Sequence, residues 1–297
     1  MNPGLVYACL AFTLWGLFPL YFHQVAVVPA LEIVLHRSVW SLLFVLVLLT
    51  VMRRWAWLAP TLRNPKRLGL FAISALLLSG NWLIYVWAVN HQHVVDASLG
   101  YFINPLVNVL LGYVVLHERL RRAQWAAVGL AALGVLWLTW QAGQLPWIAL
   151  VLAASFGLYG LMRKTASLGA LEGLALETML LAPIALPLLA WWTLNGTSAL
   201  NSGDASLIGW LVFAGPLTAV PLLLFAAGAR RITLATLGLT QYIGPTIQFA
   251  LGVWLYHEPF DSARFLGFAL IWAALGVYSA EGWHYSTRRA VPVLMPE

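Results

Sequence analysis

Residues 103–118 read INPLVNVLLGYVVLHE and residues 243–258 read IGPTIQFALGVWLYHE. Ile103, Pro105, Leu111, Gly112, His117 and Glu118 recur as Ile243, Pro245, Leu251, Gly252, His257 and Glu258, each pair 140 residues apart. Six matches at one offset within sixteen positions mark an internal duplication. Both copies close long apolar runs that a water-facing surface would not carry.

Composition gives the solvent. Hydrophobic residues make up 62% of the 297 and charged residues 9%, against about 25% charged in soluble domains. Ten apolar stretches of about 18 to 24 residues are long enough to cross roughly 30 Å of hydrocarbon as helices. They lie near 5–22, 33–52, 68–89, 96–116, 123–140, 147–162, 173–193, 207–228, 233–256 and 263–281. The remaining residues suffice for short loops and tails. The expected class is an all-α membrane protein with ten transmembrane helices arranged as two inverted five-helix repeats.

The net charge of +6 is explained by its distribution, without nucleic acid. With ten spans, the termini and the even-to-odd loops share one side. That side holds Arg53, Arg54, Arg63, Lys66, Arg67, Arg119, Arg121, Arg122, Arg163, Lys164, Arg230, Arg231, Arg288 and Arg289; the other holds Arg264, and Arg37 lies within the second span. Basic residues gather on the cytoplasmic face of membrane proteins, so both termini are expected in the cytoplasm and the chain in the cell (inner) membrane. Five spans per half is an odd number, so the second half enters the membrane inverted.

The duplication continues outside the opening motif. Trp15-Gly16-Leu17-Phe18 matches Phe156-Gly157-Leu158-Tyr159 at an offset of 141, and Leu31-Glu32 matches Leu171-Glu172. Residues 1–143 form the expected first repeat, 144–285 the second and 286–297 a cytoplasmic tail, with the boundary in the Gly/Pro loop at Gln141 to Pro146. The start lacks the charged segment of a secretory signal, so the first apolar run is expected to be retained. Cys9 is the single cysteine, which excludes an intrachain disulfide or a Cys-based metal site.

Tyr101, Asn104 and Asn108 recur at i, i+3 and i+7 and therefore share a helix face; Gln241, Gly244 and Gln248 repeat that register. Asn81 and Tyr85 make an i, i+4 pair. Such amides can tie helices together or line a solvated cavity. The preserved register favours a cavity, with Trp15, Arg37, Asn81, Trp82, Tyr85, Tyr101, Asn104, Asn108, Tyr159, Gln241, Tyr242 and Gln248 as candidate solute contacts. Pro105 and Pro245 interrupt equivalent helices. With Gly112 and Gly252 they are candidate hinges for alternate closure of the two ends.

Placing a charge at mid-bilayer costs at least about 2.5 to 3.5 kcal/mol, so ionisable groups within spans are pointers. Arg37, beside His36, and Glu177, 140 residues later, occupy equivalent depths. Either each snorkels to the interface or forms a structural ion pair near a helix end, or Arg37 attracts a carboxylate-bearing solute or His36 and Glu177 carry a coupled proton. Other amides and aromatics with few fixed charges suit small neutral or zwitterionic metabolites or amphipathic drugs.

Enzyme classes find little footing. Neither His-Glu pair continues into HExxH, because Arg121 and Asp261 stand at the fourth following position. Asp96, Asp204 and Asp261 fall at loops, and no Gly-x-Ser-Gly occurs. No catalytic residue, cofactor or metal is expected, and the His-Glu pairs are assigned to loop geometry. Trp55, Trp57, Trp147, Trp191, Trp192 and Trp283 fall near span ends, where aromatic belts form.

Leu14 to Phe22 (LWGLFPLYF), Glu32 through His36-Arg37 to Trp40-Ser41, Gly80-Asn81-Trp82 through Asn90, Gly100 to Leu106, Ser155 to Gly160 and Glu177-Thr178 together resemble the EamA branch of the drug/metabolite transporter superfamily, most closely its RarD group. The resemblance spans nearly the whole chain. It implies a ten-helix inverted-repeat permease with a central cavity lined by spans 1, 3, 4, 6, 8 and 9, and names no substrate. The resulting expectation is a secondary transporter that moves a small solute across the bilayer by alternating access. A passive channel is the alternative, disfavoured because the chain encodes its own paired halves.

Overall fold

A computed structural model describes residues 2–90, 94–141, 143, 147–255 and 262–289. His257, Glu258, Asp261, Pro146 and the tail from 290 lie outside the described residues, as do the side chains of Asp96, Arg264, Trp283, Arg288 and Arg289. Helices are the only regular structure among the described residues: α1 (Pro3–Gly16), α2 (Phe18–Gln24), α3 (Ala30–Val51), α4 (Leu58–Leu62), α5 (Pro65–Asn90), α6 (Val94–Val114), α7 (Arg122–Gln141), α8 (Trp147–Thr165), α9 (Ala170–Leu194), α10 (Ala205–Ala229), α11 (Leu234–Gln241), α12 (Ile243–Trp254) and α13 (Ser262–Arg289), with a 3₁₀ turn at Ala199–Ser202.

Among the described residues, eight helical segments are long and apolar enough to cross a membrane; the apolar stretch Leu99–Val114 of α6 is shorter. Large apolar side chains such as Leu70, Leu76, Leu133, Leu136 and Ile184 are more than half exposed, as helices bathed in lipid require. Trp147 and Trp191 are exposed at the ends of α8 and α9, whereas Trp55, Trp57 and Trp192 pack partly against the core.

Local chemistry sets the boundaries. The Asn2 side chain accepts from the Gly4 amide at 2.9 Å, with Pro3 in the first turn of α1. Asp204 caps α10 through Ser206 and Leu207, and Thr233 caps α11 through Thr236. A proline ring clashes with the carbonyl four residues earlier. That carbonyl belongs to Gln241 for Pro245, and α11 ends at Gln241. Pro245 therefore sits in the first turn of a new helix, where a missing N–H costs nothing. Pro105 behaves differently: α6 runs through it without a break, so only one of the two prolines interrupts its span. Pro19 likewise opens α2 after a break at Leu17.

The most extensive helix pairs all join the first 141 residues to the rest: α6 with α8, α7 with α13, α3 with α10 and α9, α1 with α10, α6 with α11, α5 with α8, and α1 with α12. Glycines make these approaches close. A methyl on Gly16 would lie 2.8 Å from Ile247, and one on Gly157 2.7 Å from Val107. Gly16 and Gly157, like Val107 and Ile247, are repeat equivalents.

Candidate binding cavity

The polar stripe of α6 faces inward, toward α8 and α11. Asn104 donates to the Ala153 carbonyl at 2.7 Å; Asn108 donates to Asn104 at 3.2 Å and to Gln241 at 3.1 Å. Asn81 of α5 reaches the same α8 turn, donating to Leu152 O and Ser155 Oγ, each at 2.9 Å. These amides serve both roles open to them in the sequence. They tie helices together, and Asn81, Asn104 and Gln241 also line a cavity with Gly100, Tyr101, Leu152 and Phe156. Its volume open to water centres is about 20 Å³, room for about one water molecule. That is far below the several hundred Å³ of a small-molecule pocket. The proline at 105 takes away the helical donor of the Tyr101 carbonyl, at the cavity wall.

Arg37 is the eighth residue of α3, two turns from its start, deeper than the single turn expected from the sequence. Its Nε donates to Thr218 Oγ1 at 2.9 Å, and its guanidinium lies 4.6 Å from the Trp82 ring centroid and 5.5 Å from that of Phe18. The phenols of Tyr21, Tyr85 and Tyr101 lie near enough to interact with the same charge, and the Tyr85 and Tyr101 rings meet edge to face at 5.9 Å. Tyr101 belongs to both groups and connects the Arg37 cluster to the amide-lined cavity.

Other candidates are engaged elsewhere. Tyr159 stacks on Phe225 and donates to Glu177 Oε2 at 3.4 Å. Tyr242 is fully buried and donates to the Phe102 carbonyl at 3.1 Å. Trp15 packs among Phe12, Phe156 and Phe225, and Gln248 donates to its carbonyl at 3.3 Å. None of these four lines the cavity. Gly112 packs against Glu118 and Leu234, with no space for a side chain, while Gly252 lies half-buried in α12.

Glu177 is completely buried in a network of its own. Ser74 donates to Oε1 at 2.5 Å, and the Arg163 guanidinium stands 3.5 Å from the same oxygen. Arg163, also buried, donates to the Ala170 carbonyl at 3.0 Å and fills the space left by Gly173. His36 Nδ1 accepts from Trp40 at 3.1 Å, and Nε2 faces Glu32 Oε1 at 3.6 Å; Glu32 also accepts from Ser198 Oγ and the Ala199 amide, each at 2.6 Å.

The opening motif holds a residue whose role the sequence left at loop geometry. His117 adopts φ of 53°, a left-handed turn that reverses the chain after α6. Glu118 then accepts from the Leu234 amide at 2.8 Å and the Ala235 amide at 3.1 Å, capping α11. Lys164 of α8 approaches Glu118 at 3.8 Å and donates to Ala229 and Ile232 carbonyls. One carboxylate thus joins the ends of α6, α8 and α11. Thr218, Phe156, Ser155 and Arg163 were also missed. Phe156 stood in a quoted repeat segment and Ser155 in one that carries the family resemblance, but Thr218 carried no local signal.

The EamA-like transporter family matches residues 2–140. An uncharacterised transporter of Pseudomonas aeruginosa is 48% identical over 98% of this chain and 98% of its own, and protein RarD of Escherichia coli is 46% identical over 97% of each. This chain belongs to the EamA-like transporter family, in its RarD group. It is a multi-pass membrane transporter. A crystal structure covering 95% of this chain and 98% of its own superposes with a TM-score of 0.70 at 17% identity, which is likeness of fold alone.

Proposed function

We propose that this RarD-group protein is a secondary transporter of the cytoplasmic membrane that carries a small solute by alternating access between two inverted five-helix repeats. The observation that supports the paired architecture is the pattern of helix contacts. Counting α1–α2 as span 1 and α11–α12 as span 9, exchange of each span with the one five later turns every pairing named above into one of them or into itself, save α3 with α10, whose counterpart is the smaller pairing of α5 with α9. The pairing of α5 with α8 becomes that of α10 with α1, and α6 with α8 becomes α12 with α1. Tyr242 and Phe102, joined by a hydrogen bond, are themselves 140 residues apart; repeat equivalents that touch lie on the axis relating the halves. The amide-lined cavity is next to that axis, where transporters of this plan bind solute.

The basic-residue bias supports cytoplasmic termini, which puts Glu118 at the cytoplasmic end and Arg37 toward the outer one. Glu118 then holds the cytoplasmic end shut. A proton-coupled cycle would draw on His36 and Glu177. Uptake that keeps its pH dependence in Glu177→Gln removes Glu177 from that role.

The test is reconstitution. Solutes that raise the melting temperature of the purified protein should show saturable uptake into proteoliposomes, accelerated by unlabelled solute on the far side. Unsaturable flux with ohmic current would replace this reading with a channel.

A further inference from the structure

We infer that the Arg37 cluster is an anion site, and that the solute is an organic acid carrying one carboxylate on a flat apolar body. This rests on the transporter reading above and names its solute class.

Arg37 is oriented and, among the described residues, has no counterion. Its Nε is tied to Thr218 and its guanidinium lies over the Trp82 ring, which together limit its freedom. Neither terminal amino group donates to a described residue, and no described carboxylate lies within ion-pair distance. Every acidic side chain that is described is engaged elsewhere: Glu32 at Ser198, Glu118 at α11, Glu172 at Arg54, Glu177 at Arg163, Asp204 at α10 and Glu281 at Arg121. An arginine held this way presents two parallel N–H groups spaced for a carboxylate.

The second repeat supplies a comparison within the same chain. Glu177, the equivalent of Arg37, is likewise the eighth residue of its helix. Tyr159 meets it as Phe18 meets Arg37, at equivalent positions. There, however, the chain supplies its own counterion, Arg163, whose repeat equivalent is Phe22. Among the described residues, one half neutralises its buried charge internally and the other supplies no counterion. An unpaired cation within a span is costly, and a carboxylate from solution relieves that cost.

Around the cation the walls are rings: Trp82, Tyr85 and Tyr101, with Phe156 in the adjoining cavity. They suit an aromatic or similarly flat body. A zwitterion would bring an ammonium group for which no described carboxylate is free.

The probe is radiolabelled indole-3-acetate, bound at equilibrium to the purified full chain in detergent. Saturable binding is expected, with indole-3-acetamide and L-tryptophan at least about tenfold weaker as competitors, and a loss of about ten- to a hundredfold in Arg37→Gln. Arg37→Lys, which keeps the charge without the fork, should fall between. Equal competition by the amide or by L-tryptophan, wild-type affinity in Arg37→Gln, or no saturable binding to the wild type would overturn the inference. Should Arg37→Gln fail to fold, the competitor series on the wild type decides. Binding in detergent needs no movement of solute. Its failure is therefore distinct from absent saturable exchange in proteoliposomes, which would remove the transporter reading.

Discussion

At the scale of single residues, the two charges within the spans have opposite fates. Glu177 is an internal partner, and removing one member of a buried ion pair costs about 3 to 5 kcal/mol because the other is stranded. Glu177→Gln should therefore lower the unfolding temperature sharply in detergent, and Glu177→Leu combined with Arg163→Met should recover much of the loss. Equal melting of Glu177→Gln and wild type would show that Arg163 does not depend on it. Arg37 and Glu177 were legible as candidates because charge in an apolar run stands out. Their partners were not: Thr218 is 181 residues from Arg37 and Ser74 is 103 from Glu177, and only packing brings them together. Tyr159 and Tyr242 were expected at a cavity. Depth along a span gave no azimuth for them, and their hydroxyls turn to Glu177 and Phe102.

Elements were more readable than their interruptions. Apolar length located most of the long helices within a few residues, although α13 runs to Arg289, past the stretch expected to end near 281, and α4 and the 3₁₀ turn were too short to announce themselves. The break at Tyr242 follows from Pro245 acting on Gln241, while continuous packing of α6 against α8 and α11 holds Pro105 inside one helix. The two prolines should then respond differently. Pro105→Ala restores a donor to the Tyr101 carbonyl, and is expected to leave or raise the melting temperature while slowing uptake. Pro245→Ala, at a first-turn position, should alter either much less. Equal effects on turnover would remove the asymmetry. Gly157→Val should destabilise by about 1 to 3 kcal/mol through overpacking against Val107, measurable as lower thermal stability.

For the whole molecule, the duplication was visible in six matched positions, yet the contact of Glu118 with α11 was not, since a side chain capping a helix 116 residues away leaves no pattern in the sequence. Loss of a helix cap costs about 0.5 to 2 kcal/mol. If Glu118 keeps one end closed, Glu118→Ala should shift the population toward opening there. In a Cys9→Ser background carrying Leu111→Cys, a membrane-impermeant maleimide should then react faster from the side bearing Glu118. An unchanged rate would assign Glu118 to helix capping alone. Because the large helix faces meet between the portion ending at Gln141 and the portion beginning at Trp147, neither portion contains a complete interior. Two fragments severed there and synthesised together should find each other in the bilayer and co-purify as a working particle, whereas either one alone should be cleared as an orphan.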